Sequence, residues 1–309
     1  IFVNNKMSDI AEKLYDISLY DNEYIKDNIK IYNKDGKELL KNIENNSIDL
    51  TLIDPPYIIS KESGMNTHYN NVKDNETKGI QFVKTEEDWV EYKKTLNKPD
   101  NELEAEKGKG WSKENYLKYG TILGKKYCNK TDYGDWDNNF TEEELKEFID
   151  IYYKKLRKGG TLIIWFDIWK ITNLKKMLEE AKFKQIRFIE WIKTNPQPIN
   201  SKINYLTNSR EIAILCVKGG KPTFNSEYDN GIYNYPMAAG KNRFHPTQKN
   251  LSLFEDLIKK HSNENDTILD TFLGGGTTAI ACYNTNRKFI GCEINKEYFN
   301  KIIKVFDSF

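Results

Sequence analysis

Residues 47–57 read Ser-Ile-Asp-Leu-Thr-Leu-Ile-Asp-Pro-Pro-Tyr, an apolar run that stops on Asp54, two prolines and an aromatic. The run has the length and near-continuous apolar character of a buried parallel strand. Proline fixes φ and has no N–H to donate to a ladder, so the pair ends the strand and places Asp54 at its carboxyl end. Ligands of open α/β sheets bind outside that edge. A carboxylate, a rigid turn and a planar ring are therefore expected together at a ligand crevice.

The remaining chain supports a sheet of that kind. Residues 30–33 read as a short strand, followed by Asp35 and by Glu38, Leu39, Leu40 and Ile43 at helical spacing. Thr141 with Glu144 three residues on predicts a capping box and a helix to about Lys155, ended by Gly159-Gly160. Strands are predicted over 161–166, 185–192, 210–217, 267–270 and 288–292, with helices over 170–182, from 249 to about 260, over 279–285 and from about 296. The alternation indicates an α/β, doubly wound, mostly parallel sheet. Residues 1–30 read as a helical or irregular lead-in. Residues 58–135 break the periodicity, carry many glycines and charges, and read as an insertion between two core elements.

Asp54 to Tyr57 suits one chemistry in particular. The exocyclic nitrogen of adenine is a poor nucleophile because its lone pair is shared with the ring. Asp54 can accept one of its hydrogens and the Pro55 carbonyl the other, while Pro56 keeps the turn rigid. Tyr57 can stack on an extruded base, worth roughly 1–3 kcal/mol. The bland alternative is a tight loop with a capping Asp. A second constellation lies near the C-terminus: the strand 267–270 ends on Asp270, Phe272-Leu273-Gly274-Gly275-Gly276 makes a turn, and a helix and a strand lead to Glu293. Glycines let a backbone approach a ligand closely, and an acid about 20 residues on can hold two ribose hydroxyls. The spacing fits neither the dinucleotide fingerprint nor the phosphate-loop motif. Asp270 could instead simply cap the helix that follows.

Net charge is +1, so contacts with nucleic acid must come from local patches. Residues 107–130 hold seven lysines against Glu114, with Trp111, Tyr116, Tyr119 and Tyr127 among them. Basic and aromatic residues together suit a nucleic-acid strand. Residues 193–202, rich in asparagine and proline, suit the lining of a target pocket. Cys128, Cys216, Cys282 and Cys292 have no metal-ligand spacing and read as free thiols of a reducing cytoplasm. No apolar run approaches the roughly 18 residues of a membrane span.

Taken together, Asp54-Pro55-Pro56-Tyr57, the glycine turn and the intervening His245-Pro246-Thr247-Gln248-Lys249 resemble the permuted, β-group DNA amino methyltransferases of bacterial restriction-modification systems. The resemblance covers about residues 30–57 and 136–305. It implies a Rossmann-like, S-adenosylmethionine-dependent catalytic domain formed by 1–57 and 136–309. Residues 58–135 and the short loop 220–244 would share target recognition. Asp54 through Tyr57 would be catalytic, and no metal is implied. Asp270, Phe272, Gly274 and Gly276 would line the methionine part of the cofactor, with Glu293 at the ribose and Asp35 near the adenine. Thr247 and Lys249 would reach the carboxylate end, and Asp54, His245 and Ile294 complete the set, His245 as a structural hydrogen-bonder. The departures are Thr271, Gly275 and Asn250, none of which removes a charged group. The implied reaction is N6 methylation of adenine in DNA, double- or single-stranded. The implied partners are a cognate endonuclease and a second copy of the chain. Alternatives are N4 methylation of cytosine, where Ser more often stands in place of Asp54, an RNA substrate, and a DNA-binding subunit without activity.

Overall fold

The strand β3 (Ile48–Ile53) forms as expected and lies at the centre of a nine-stranded sheet. The computed structural model describes residues 22–57, 84–95, 113–119, 140–196, 206–238, 244–245 and 247–308. The other strands are β1 (Glu23–Lys26), β2 (Ile29–Tyr32), β4 (Leu156–Phe166), β5 (Lys184–Lys193), β6 (Arg210–Val217), β7 (Ile232–Tyr235), β8 (Thr267–Asp270) and β9 (Lys288–Cys292). Their order is β1-β2-β9-β8-β3-β4-β6-β5-β7. Five neighbours from β2 to β4 run parallel, whereas β6 is antiparallel to both β4 and β5, and β1 is antiparallel to β2.

The helices are α1 (Gly36–Lys41), α2 (Glu86–Thr95), α3 (Lys113–Tyr119), α4 (Glu142–Lys155), α5 (Ile171–Glu180), α6 (Leu251–His261), α7 (Thr277–Asn284) and α8 (Lys296–Asp307). Alternate residues of each central strand feed two cores. Leu50, Leu52, Ile163 and Trp165 pack with Leu253, Leu257, Phe299 and Ile302 of α6 and α8. Ile53, Leu162, Ile164 and Phe166 pack with Leu39, Leu145, Ile149 and Leu174 of α1, α4 and α5. Burial on both faces is why these strands read as unbroken apolar runs. Among the described residues no helix is long and apolar enough to cross a membrane.

The chain divides into two compact units, Ile1–Ile58 with Asn139–Phe309, and Ile59–Asn138. In the second unit, Tyr92 and Tyr116 stack at 4.2 Å and Trp89 lies 5.5 Å from Tyr116. Tyr116 is therefore a buried anchor between two short helices rather than an exposed platform for nucleic acid. Lys113 of the same basic stretch is paired with Glu86 at 2.5 Å. Trp111 and Tyr127 lie outside the described residues.

Three expectations are corrected. Helix α4 does end at Lys155, but Leu156 caps it in extended conformation, and Gly159-Gly160 lie inside β4. Gly159 takes φ +78° there, and a Cβ would collide with the Lys221 carbonyl, so the glycine serves a close crossing rather than a helix end. The lead-in contains β1, and the stretch 220–244 contains the edge strand β7, which pairs in parallel with β5. Both strands are short and largely exposed, so no apolar run marks them as it marks the equally short β8.

Candidate active site

The carboxyl ends of the parallel strands gather the chemistry-bearing residues on one edge. Asp54 follows β3, Asp270 closes β8, Glu293 follows β9, and Asp35 stands beyond β2. Strand β6 runs the other way and pairs Ile212 with Phe166, so its amino end brings Glu211 to the same edge. Lys193 closes β5 beside it, and Lys249 enters immediately before Asn250, the residue capping α6.

Four of these side chains form a buried line of alternating charge. Lys249 Nζ lies 2.6 Å from Asp54 Oδ2 and 3.0 Å from Glu211 Oε2, and Lys193 Nζ lies 2.8 Å from Glu211 Oε1. Lys249 is 7% exposed and Asp54 19%. Burial raises the Asp54 carboxyl above its ordinary range, the Lys249 charge opposes this, and Glu211 adds to it. Burial alone would pull the Lys249 ammonium down, but Asp54 and Glu211 outweigh it and hold it charged. Glu211 is lowered, since its two lysines outweigh its burial. Among the described residues Asp54 Oδ1, the Tyr57 hydroxyl and Glu211 Oε2 are buried without a well-aligned hydrogen bond, while Asp54 and the Tyr57 hydroxyl act on each other at close range. The Tyr57 ring stands edge-on to Phe166 at 6.3 Å, with the Lys249 ammonium 5.5 Å from its centroid.

The glycine turn forms the other half. Glu293 Oε2 accepts from Gly274 N at 2.7 Å, and Oε1 from Asn295 N at 2.8 Å. Gly274 and Gly276 take φ +53° and +78°, conformations in which a side chain is strained. A Cβ on Gly275 would lie 2.9 Å from Gln248 Cγ, and one on Gly274 3.3 Å from the His245 ring, so His245 and Gln248 pack directly on the turn. His245 stands edge-on to Tyr298 at 4.6 Å, and its Nδ1 lies 3.2 Å from Thr247 Oγ1.

Asp270 is 3% exposed, and both its oxygens are engaged, Oδ1 by Phe272 N at 2.9 Å and Oδ2 by Thr278 Oγ1 at 2.6 Å. It shapes the turn from behind. Phe272 packs on Phe140 and Phe148 at 5.4 and 5.0 Å. Asp35 caps α1 through Oδ1 at 2.8 and 3.3 Å, and Ile294 is half exposed beside Glu293.

The sequence had set Lys249 toward a cofactor carboxylate, whereas here its ammonium joins Asp54 to Glu211. Glu211 was missed. A charge opening an apolar strand was its only signal, and the strand's direction, which decides the edge it reaches, is not written locally.

The DNA methylase family N6_N4_Mtase matches this chain over residues 48–304. The chain belongs to that family. It is 27% identical over 300 residues to the Type II methyltransferase M2.LlaDCHI of Lactococcus lactis subsp. cremoris, covering 91% of this chain and 90% of that protein. It is 33% identical over 195 residues to the Type II methyltransferase M2.DpnII of Streptococcus pneumoniae, covering 54% and 69%. The fold is similar to that of the M1.HpyAVI–SAM complex, with a TM-score of 0.54, 25% identity, and coverage of 90% of this chain and 99% of that one. For this DNA methylase, the line of charge and the glycine turn are thus two halves of one edge.

Proposed function

We propose that this DNA methylase transfers a methyl group from S-adenosylmethionine to the exocyclic N6 of a flipped adenine, by direct attack. The observation that carries the reading is Asp54 at the carboxyl end of the central strand: one oxygen is held by Lys249, and the other is buried and, among the described residues, makes no well-aligned hydrogen bond. A buried acceptor without a partner costs free energy that a hydrogen of the target amino group would recover.

The residues at the edge suit the cofactor. Each Glu293 oxygen accepts one backbone N–H and keeps acceptor capacity for a ribose hydroxyl. Half-exposed Ile294 offers an apolar surface to a purine, Asp35 stands beyond the neighbouring strand, and the glycine turn admits close approach. When bound, the cofactor supplies an electrophilic methyl group on a sulfonium. Glu293, Ile294 and the glycine turn would hold the cofactor, and its methyl carbon would take the lone pair of the base amino nitrogen while the S–C pair stayed with sulfur. Asp54 Oδ1 accepts one amino hydrogen and the Pro55 carbonyl the other, which draws the lone pair out of the ring. Asp54 then receives the proton that the nitrogen releases, and the Tyr57 ring, braced by Phe166, stacks on the extruded base.

In this reading residues 58–135 contact DNA and share target recognition with 220–244, while 1–57 and 136–309 carry the chemistry. In the same reading the chain is a modification enzyme that acts on double-stranded DNA alongside a cognate endonuclease. The test is methyl transfer from labelled S-adenosylmethionine to mixed-sequence DNA with nucleoside analysis, wild type beside Asp54→Ala. Label in N6-methyladenosine that vanishes in the variant is expected. Label in N4-methylcytosine overturns the base assignment, and activity surviving in Asp54→Ala overturns the role of Asp54.

A further inference from the structure

Glu211 stands between two lysines, one of which touches Asp54. Its Oε1 faces Lys193 and its Oε2 faces Lys249, while Lys249 reaches Asp54 Oδ2. All four side chains are largely buried, and their charges alternate and sum to zero. Removing one member of such a set strands the charge of its neighbour.

A lysine ammonium on a four-carbon stem is a mobile donor. With Asp54 as its only anchor it could serve either carboxylate oxygen. A second anchor on Glu211, an ion pair at 3.0 Å, ties it to Oδ2, and among the described residues Oδ1 is the oxygen left without a well-aligned hydrogen bond. The charges argue the same way. Attack by the amino group builds positive charge on nitrogen next to Asp54. An uncompensated ammonium nearby would oppose this in a low-dielectric site, and Glu211 cancels it.

We propose that Glu211, braced by Lys193, is a positioning residue that holds Lys249 on Oδ2 of Asp54 and so reserves Oδ1 for the target amino group. The proposal rests on the reading of Asp54 as the acceptor. It adds to that reading two residues outside both recognised motifs.

The groups that act on Asp54 are Lys249, Glu211 and Tyr57, with Asp270 at the next strand end and Lys193 acting through Glu211. The Tyr57 hydroxyl is pushed well up by burial and Lys249 is held charged, so Asp54 is the group that titrates on the acid side. Glu211→Gln removes a negative neighbour and lowers the Asp54 pKa. Lys193→Gln leaves Glu211 less compensated and raises it.

The experiment is the pH profile of kcat/KM for wild type, Glu211→Gln, Lys193→Gln and the double variant, together with urea unfolding of the same four proteins without cofactor. Glu211→Gln should lower kcat about tenfold or more with little change in KM for DNA, the pattern of an interaction used in the transition state. Its acid limb should move to lower pH, that of Lys193→Gln to higher pH, and the double variant should resemble Glu211→Gln in rate. The losses in unfolding free energy should also be non-additive. Acid limbs that stay in place while activity falls at every pH would mean mere structural support and overturn the proposal, as would additive losses. Should Glu211→Gln fail to fold, the upward shift in Lys193→Gln decides the matter alone. Asp54→Ala separates the two readings: transfer surviving there sinks the acceptor role itself, whereas transfer lost there with unmoved limbs in the other variants sinks only the role of Glu211.

Discussion

Asp270 and Glu293 are two buried carboxylates whose surroundings are backbone amides and a hydroxyl rather than cations. Burial is the main cause that pushes each up to about 7. For Asp270 the folded value lies above the ordinary 3.8. Its contribution to stability is therefore complete below that ordinary value and is lost as pH rises through about 7. Asp270→Asn has no such dependence. The gap in unfolding free energy between wild type and Asp270→Asn should narrow from pH 5 to pH 8 in urea titrations, and a gap that stays constant contradicts the assignment. At this scale the sequence was informative about identity and less so about role. Asp270 and Glu293 both stood out as acids bracketing a glycine turn. Which one faces a ligand depends on where the hydrogen bonds go, and Asp270 has both oxygens taken.

Among the elements, α4 links the sequence signal to the site most directly. Thr141 Oγ1 accepts from Glu144 N at 3.2 Å, and Glu144 Oε2 accepts from Thr141 N at 3.3 Å. The cap orients Leu145, Phe148, Ile149 and Tyr152 into the core, and Phe148 carries Phe272 of the glycine turn. Thr141→Ala should cost about 1 kcal/mol, seen as a fall in Tm of roughly 2–4 °C by calorimetry. An unchanged Tm would mean the box holds nothing that packing does not. Capping and apolar period are local signals, which is why α4 and the central strands were legible. Gly159-Gly160 was misread because a glycine pair after a helix resembles a stop signal. Its cause is a non-local crossing with the Lys221 carbonyl. Tyr116 was misread because an aromatic among lysines looks the same whether it faces solvent or stacks on Tyr92.

For the whole molecule, the sheet edge makes one site out of residues far apart in the chain, with Lys249 meeting Asp54 across 195 positions. Ligand that binds only the folded edge must stabilise the fold by mass action. S-adenosylmethionine at about 100 times its Kd should add ~2.7 kcal/mol. That corresponds to a rise in Tm of roughly 5–10 °C by calorimetry. Glu293→Ala, which removes the acceptor proposed for the ribose, should abolish most of that rise. A full rise in the variant would place the cofactor elsewhere.

The sequence by itself determined the strands other than β1 and β7, their order along the chain, and the motifs Asp54-Pro55-Pro56-Tyr57, His245 to Lys249 and Phe272 to Gly276. Each rests on local chemistry: apolar period, proline geometry, glycine freedom and capping. Only the tertiary structure decided that β6 runs antiparallel beside β4, and so that Glu211 faces the crevice rather than the opposite edge. It also decided that Lys249 lies on Asp54, that His245 packs on the glycine turn, and that one oxygen of Asp54 is buried without a well-aligned hydrogen bond among the described residues. Strand direction and side-chain pairing across the sheet are settled by non-local packing, which no local run of residues encodes.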